Sequence, residues 1–238
     1  MNAPQPNPSN RRDQLVASRR QALRLGASTA FATVMTGAIT QGATVTPTAT
    51  EGPYWEDEKL LRSDVREGQV GLDLNLLVTV SKLASGNATP LQNAYVDIWH
   101  CNAVGYYSDE PAGMGNPNTL GQTYLRGYQI SNARGVARFT TIYPGWYTGR
   151  TPHIHVRVRT YSGNTTTLNM TTQFFFDENI SDYVYANVSP YNTRGARGTR
   201  NSNDNVYNAI SGGGAQLMLR ISPNGARLAI ASFNIVVA

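Results

Sequence analysis

Residues 72–80 read LDLNLLVTV, with apolar side chains at every second position of the first five and then a β-branched, mostly apolar run. This period of two is typical of a β-strand, in which successive side chains point to opposite faces. Six further segments have the same strand character, at 95–99, 136–142, 154–160, 171–176, 216–221 and 227–237. The chain is therefore expected to build its core from strands.

Turn-forming residues separate these segments. Clusters that contain Gly lie at 85–87, 133–135, 143–145, 162–164 and 223–225. Seven short strands, with no segment of 3.6-residue period and no internal repeat, predict an all-β domain, an antiparallel β-sandwich with long loops. Residues 108–122 and 181–214 are rich in Gly and Asn and are expected to be irregular. Loops of that length usually either form a site or are disordered.

The composition excludes several classes of protein. Of 238 residues, 40% are hydrophobic and 15% charged, which is too apolar for a disordered chain, and 22 glycines with 12 prolines exclude a long coiled coil. The single cysteine, Cys101, allows neither an intrachain disulfide nor a zinc site of several thiolates. Cys101 is expected to be a small buried side chain rather than a reactive thiol.

The positive charge is concentrated at the N-terminus. Residues 1–42 hold five arginines and one aspartate, a net +4 of the formal +5. The rest of the chain carries only +1, which gives no general attraction for a phosphate backbone. We therefore expect no nucleic-acid partner.

The N-terminal segment has the layout of an export signal. Residues 18–24 read SRRQALR, and residues 25–41 carry no charge. Consecutive arginines before a modest apolar stretch indicate the twin-arginine type, with an amphipathic or disordered arm as the alternative. The apolar stretch is too weak for a membrane span. Residues 1–45 are expected to direct the protein through the twin-arginine export machinery to the periplasm or the cell exterior, and residues 46–238 to form the folded domain.

Two of the three histidines, His153 and His155, flank Ile154 in a predicted strand. Side chains two positions apart point to the same face, so both imidazoles lie together while Ile154 faces the core. Such a pair supplies two neutral nitrogen ligands for a metal ion. Taken alone, the motif is better explained by two half-exposed structural histidines.

Tyrosines accompany the histidines. Tyr147 follows a Pro-Gly turn that leads into the histidine strand, and a second loop after the strand 95–99 carries Tyr106 and Tyr107. Phenolate oxygen is a hard anionic ligand that favours a trivalent ion, above all ferric iron. For any single tyrosine among 13, a packed aromatic ring with a bonded hydroxyl is the alternative.

Several motifs follow one another along the chain. They are TEGPY at 50–54, DIW at 97–99 through GYY at 105–107, LRGYQ at 125–129, FxTIYPGxY at 139–147, RxxHIH at 150–155 and TQFFF at 172–176. Together they resemble the intradiol ring-cleaving catechol dioxygenases, in the family's order and with close spacing. The resemblance extends from about Thr50 to Asp177.

The resemblance implies a mononuclear non-haem Fe(III) held by Tyr107, Tyr147, His153 and His155. Tyr107 rather than Tyr106 occupies the family's position. Tyr147 and His155 would be axial ligands, with Tyr107 and His153 equatorial. Tyr147 would leave when catechol binds and take up one of its protons.

The resemblance also implies roles for residues around the iron. Arg150 would stabilise negative charge that develops on the substrate, and Gln173 would lie near the oxygen pocket. Gly52, Pro53 and Tyr54 would wall the mouth through which substrate enters. The alternative for Arg150 is a structural role as one partner of a surface ion pair.

The implied activity is cleavage of a catechol-type ring by O₂ between its two hydroxyl-bearing carbons, which yields a cis,cis-muconate-type diacid. Catechol, a lignin-derived aryl diol, protocatechuate and hydroxyquinol all stay open as substrates, as does a homo-oligomer. Two other functions are alternatives.

One is a zinc hydrolase that uses His153 and His155. The lack of a carboxylate or a third histidine as a further zinc ligand argues against it. The other is a non-catalytic transthyretin-like or carbohydrate-binding sandwich, which would be expected to have lost a ligand position.

Overall fold

The computed structural model describes residues 43–113, 116–224 and 228–238, and in these ranges the chain folds mainly into strands. They are β1 (Asp73–Ala84), β2 (Asn87–Pro90), β3 (Tyr95–Trp99), β4 (Arg126–Ile130), β5 (Val136–Ile142), β6 (His153–Ser162), β7 (Thr165–Phe175), β8 (Arg220–Asn224) and β9 (Leu228–Val237). The described part also contains helices α1 (Glu178–Asn187) and α2 (Asn205–Ala209), with 3₁₀ turns at Tyr191–Thr193, Asn201–Asn203 and Gly214–Leu217. The prediction of a mainly β domain is confirmed.

The strands form two sheets. In the four-stranded sheet the order is β4-β3-β6-β7, and every pair is antiparallel. In the five-stranded sheet, β1 pairs with β2 and β5 along one edge and with β9 along the other, and β8 follows β9. Side chains from both sheets, such as Leu76 of β1 and Val156 of β6, are fully buried in one hydrophobic core.

The prediction of a purely antiparallel arrangement is wrong for one pair, because β1 and β9 run parallel from Asp73↔Leu228 to Lys82↔Val237. A parallel neighbour needs a long connection, and here all the strands from β2 to β8 lie between the two. Residue alternation reports which face of a strand is buried and carries no information about the direction of its neighbour. The five-stranded sheet is therefore mixed.

Three details of the predicted elements also need correction. The stretch 181–214 is not irregular throughout, since it contains most of α1 and the whole of α2. The predicted strand 216–221 begins instead at Arg220, because Leu217 ends a 3₁₀ turn. Strand β4 was missed, since Gly127 breaks its pattern. A Cβ at that position would lie 3.0 Å from side-chain carbons of Arg62 and Val65, and the close approach requires glycine.

The segment before β1 ties both sheets together. Thr46 N donates to Val236 O of β9 (2.8 Å), and Ala49 N donates to Thr171 O of β7 (3.0 Å). These bonds hold residues 50–54 over one end of the four-stranded sheet. Most of the predicted export signal, residues 1–42, lies outside the described residues. No helix in the described part is long and apolar enough to cross a membrane.

Candidate metal centre

His153 and His155 lie side by side at the start of β6, with 2% and 1% of their surface exposed. Ile154 points the other way into the core, as the alternation predicts. Strand β6 lies between β3 and β7, so His155 has Trp99 opposite on one side and Gln173 on the other. This burial excludes the alternative of two half-exposed structural histidines.

Two loops bring tyrosines to the same place. The loop after β3 carries Tyr107, whose hydroxyl lies 3.4 Å from His153 Nε2, and the loop before β6 carries Tyr147, whose hydroxyl lies 3.2 Å from the same nitrogen. His153 Nε2 and His155 Nε2 are 3.1 Å apart. All four predicted ligands therefore converge on one point. Tyr106 does not join them, because its ring lies beneath the Arg194 guanidinium, 5.4 Å from the ring centre.

Glycine allows the two tyrosine loops to approach. Gly145 N donates to Asn102 O (3.0 Å), and a Cβ on Gly145 would lie only 2.7 Å from the carbonyl oxygen of Ala103. Any larger residue would push the loops apart. The Pro144-Gly145 turn that the sequence marks as a loop thus sets the distance between Tyr107 and Tyr147.

The convergent side chains fit a metal ion. His153 Nδ1 donates to Thr151 O (2.6 Å), which leaves the Nε2 lone pair directed at the other three side chains. Separations of 3.1–3.4 Å let these atoms share one ion through bonds of about 2.1 Å. In the described residues no group of three or more His, Cys, Asp and Glu side chains could hold a metal, so the tyrosines are needed to complete this one.

Burial determines the protonation of all four. It lowers the pKa of His153 to about 3 and that of His155 well below its usual value, with Arg150 adding to the effect, so both imidazoles are neutral. Burial also raises the pKa of Tyr107 and Tyr147 above that of a free phenol. Neutral imidazoles are ready ligands, and a bound cation would reverse the shift for the phenols.

Aromatic rings and the entry segment cover the centre. Trp99 stacks on His155 with ring centres 4.7 Å apart, and Tyr54 stacks on Tyr107 at 4.2 Å. Gly52 lies against His155, since a Cβ there would be 3.5 Å from the ring. Pro53, between them, is exposed and makes no contact that assigns it to the centre. Two of the three predicted mouth residues therefore touch ligand side chains.

Arg150 lies beside the four side chains, held by two partners. Its Nη2 donates to Gln173 Oε1 (2.5 Å), and its Nε donates to Asp204 Oδ2 (2.9 Å). Gln173 is itself fixed by donating to Thr50 O (2.7 Å). Arg150 is only 15% exposed, so it is not a surface ion pair, and its charge opposes protonation of His153.

Comparison with known proteins places the chain in a family. A family model described as Dioxygenase matches residues 50–190, more than half of the chain. The structure is similar to an intradiol ring-cleavage dioxygenase from Tetranychus urticae, with 28% sequence identity, a TM-score of 0.70 and coverage of 82% of this chain and 94% of that one. The chain belongs to the intradiol ring-cleavage dioxygenase family. The resemblance seen in the motifs is thereby confirmed at the level of the family.

More distant structures share the fold. One is the dioxygenase domain of a dioxygenase carbohydrate-binding protein fusion from Streptomyces sp. SirexAA-E (24% identity, TM-score 0.55, 82% of this chain and 98% of that one). Another is 3-chlorocatechol 1,2-dioxygenase from Rhodococcus opacus 1CP (20% identity, TM-score 0.55, 80% and 72%). No curated protein sequence matches this chain.

Asp204 is a site residue of this dioxygenase that the sequence did not indicate, and it lies outside the family match. It is fully buried and accepts hydrogen bonds from Arg150 Nε and from Thr151 N (2.7 Å). Burial alone would raise its pKa, but backbone N–H donors and Arg150 outweigh burial and hold the pKa below its usual value. The only signal in the sequence is its suitability as the N-cap of α2.

The cleft beside the four side chains has one carboxylate at its mouth. It is lined by Tyr54, Gly105, Tyr106, Tyr107, Glu110, Asn116, Pro117 and Tyr147. Glu110 is the only charged side chain among these described residues. Burial and the nearby carboxylates of Glu56 and Asp109 raise its pKa, and Arg126, 3.8 Å away, opposes them. An anionic substituent on a substrate would meet repulsion here.

Proposed function

We propose that this protein is a non-haem Fe(III)-dependent intradiol dioxygenase that cleaves a catechol-type ring between its two hydroxyl-bearing carbons and yields a cis,cis-muconate-type diacid. Both oxygen atoms of O₂ enter the product. The observation that carries the proposal is the convergence of two tyrosine hydroxyls and His155 Nε2 on His153 Nε2, at 3.1–3.4 Å from that nitrogen. Membership of the family supports it.

Each of the four side chains has a defined part. His153 and His155 supply neutral nitrogen, and Tyr107 and Tyr147 supply anionic oxygen once deprotonated. Ferric iron, when bound, acts as a Lewis acid toward the two catechol oxygens and activates the ring for attack by O₂. Tyr107 and Tyr147 both line the cleft, but Tyr147 is the less buried of the two, so its phenolate oxygen is the base placed to take a catechol proton.

Arg150 supplies a fixed positive charge beside the reacting ring. Its guanidinium is held by Gln173 and Asp204 before any substrate arrives, so it need not reorganise as negative charge develops. Trp99 packs on His155 and Tyr54 packs on Tyr107, and these two rings keep bulk water away from the ligands. Low local polarity strengthens the effect of the Arg150 charge.

The activity is tested with purified protein reconstituted with iron. Incubation with catechol and ¹⁸O₂ should consume oxygen and give a muconate-type diacid that carries both labelled atoms. Tyr107→Phe should lower turnover by at least 100-fold. Tyr106→Phe is the matched control. Tyr106 also lines the cleft but is not one of the four ligand side chains, so its loss should leave turnover within twofold. A reconstituted protein that consumes no oxygen with any catechol would favour the non-catalytic sandwich instead.

We also propose that residues 1–45 are a twin-arginine export signal. The support is the pair Arg19-Arg20 before an uncharged stretch. A reporter fused after residue 45 should be exported from a bacterium that has the twin-arginine machinery. Replacing both arginines by lysine should retain the reporter in the cytoplasm. Export that survives the replacement, or requires no such machinery, would contradict the proposal.

A further inference from the structure

The two carboxylate oxygens of Asp204 have separate partners. Oδ1 caps helix α2 by accepting from Val206 N (2.7 Å) and Tyr207 N (2.9 Å). Oδ2 accepts from Arg150 Nε (2.9 Å) and Thr151 N (2.7 Å). The side chain is completely buried, so the contacts of Oδ2 are shielded from water. Oδ1 therefore caps the helix, and Oδ2 holds the segment that leads into β6.

Thr151 continues the connection to the candidate metal ligand. Its amide is held by Asp204, and its carbonyl accepts from His153 Nδ1 (2.6 Å). Its hydroxyl donates to Asn201 Oδ1 (2.6 Å). Thr151, which orients His153, is therefore held through its amide, its carbonyl and its hydroxyl. A single carboxylate lies one hydrogen bond from Arg150 and two from His153.

Helix capping does not account for the choice of aspartate. Asn and Ser cap helices about as well as Asp, and a cap needs a single acceptor oxygen. A buried ion pair is also weak evidence for stability, because desolvation offsets the Coulomb attraction. Only a group with two acceptor oxygens and no donor satisfies Arg150 Nε, Thr151 N and the helix end together. The choice of aspartate is therefore explained by its contacts with Arg150 and Thr151, and not by helix capping.

We propose that Asp204 is a positioning residue, which aims the Arg150 guanidinium at the substrate and, through Thr151, orients His153 for iron. This inference rests on the proposed function. The residue lies in the long stretch 181–214, beyond the family match. Partners of metal-bound histidines commonly affect metal affinity by 10–100-fold when removed.

Asp204→Asn distinguishes the role of Oδ1 in capping α2 from the role of Oδ2 in holding Arg150 and Thr151. The remaining Asn oxygen can still cap α2, while its NH₂ would face two donors, Arg150 Nε–H and Thr151 N–H. The matched control is Asp177→Asn, because Asp177 caps α1 in the same way, accepting from Asn179 N (2.8 Å) and Ile180 N (3.2 Å), and its side chain makes no hydrogen bond to the site. Asp204→Ser is a second variant that keeps a capping oxygen and introduces no clashing NH₂.

Two measurements separate a positioning role from a structural one. Iron affinity, from competition with a chelator, should fall 10–100-fold in both Asp204 variants and stay within twofold in Asp177→Asn. Turnover of catechol at saturating iron should fall at least tenfold in Asp204→Asn. In an Arg150→Met background, however, Asp204→Asn should reduce turnover no further while iron affinity still falls.

Several results would overturn the inference. Asp204 variants that match Asp177→Asn in iron affinity and turnover would do so, as would a full additional loss of turnover in the Arg150→Met background. If both Asp204 variants are unfolded by circular dichroism, Asp204 is a structural residue only. A wild-type protein that holds no iron would instead contradict the proposed function, so the two failures are distinguishable.

Discussion

The chemistry of the candidate site depends on a few titratable groups that burial holds in their neutral forms. His100, the third histidine, shows the same effect away from the candidate ligands. It is completely buried, with Nδ1 2.8 Å from Cys101 O and Nε2 2.7 Å from Thr141 Oγ1. Burial lowers its pKa to about 4. An unfolded chain would restore the ordinary value of about 6.5.

This shift predicts a pH dependence of stability. Between about pH 6.5 and pH 4 the unfolded state binds a proton at His100 that the folded state does not, so the free energy of unfolding falls as the pH falls. The expected contribution is about 1.4 kcal/mol per pH unit. Urea unfolding of wild type and His100→Gln at pH 7, 6 and 5 measures it. The difference between their slopes should correspond to about one proton, and identical slopes would show that His100 is protonated in the folded protein.

Glu110 predicts which catechols this enzyme prefers. Its carboxylate lines the mouth, where it repels a carboxylated substrate. Glu110→Gln should raise kcat/KM for protocatechuate relative to catechol by about 3–10-fold, an effect of about 1 kcal/mol. Glu56→Gln is the matched control, since Glu56 is exposed and does not line the cleft. An unchanged ratio in Glu110→Gln would show that the mouth does not discriminate by charge.

At this scale, part of the site could be predicted and part could not. The His153 and His155 pair followed from strand alternation, and the tyrosines from their loops and the family's motifs. Asp204 could not be found, because it meets Arg150 across 54 residues of sequence and no period connects them. Glu110 was missed since its side chain has no distinctive spacing from the four ligands.

At the scale of elements, the tyrosine loops depend on glycine more than on side-chain packing. Gly145→Ala would place a Cβ 2.7 Å from both Ala103 O and Gly105 N, so the loops must separate. We expect a loss of about 1–3 kcal/mol in unfolding free energy, typical of overpacking, and at least a tenfold loss of iron affinity. Chemical unfolding and chelator competition measure the two effects.

Gly198→Ala is the control for this substitution, because a Cβ there would meet no atom within 4 Å. It should change neither stability nor iron affinity measurably. Wild-type iron affinity in Gly145→Ala would mean that the distance between the loops is not set at Gly145. If Gly145→Ala and Gly198→Ala also had the same stability, Gly145 would not be needed for the two tyrosine loops to approach each other.

A strand or helix could be predicted from the sequence when its buried positions follow a regular apolar pattern. Strands β3 and β5 have the predicted bounds, because their sequences carry strand-forming residues between clear turns. Helix α1 was missed, since one of its three buried positions is Ser181 and the apolar pattern with Val184 and Tyr185 is incomplete. The parallel pairing of β1 with β9 depends on how the whole chain is routed, which no local pattern contains.

At the scale of the molecule, the described domain contains every residue of the candidate site, and residues 46–54, which precede β1, support that site. Thr46 and Ala49 bond to strands of different sheets, and Thr50 O accepts from Gln173. A chain that begins at residue 43 should therefore fold and bind iron like the full chain. A chain that begins at residue 52 should lose these bonds and show weaker iron binding.

Circular dichroism and chelator competition on the two truncated chains test this prediction. We expect the longer chain to match the full protein within twofold in iron affinity and the shorter chain to lose at least tenfold. Equal affinities would mean that residues 43–51 do not support the site. Failure of the longer chain would assign residues 1–42 a part in the folded domain.

We have proposed that two tyrosine and two histidine side chains hold one ferric ion that a catechol can reach. Visible absorption of the purified protein, during anaerobic addition of ferric iron and then of catechol, tests it most directly. Tyrosinate bound to ferric iron should give a strong visible band that saturates at one iron per chain, weakens in Tyr107→Phe and shifts when catechol is added. A protein that stays colourless and retains no iron would contradict the account.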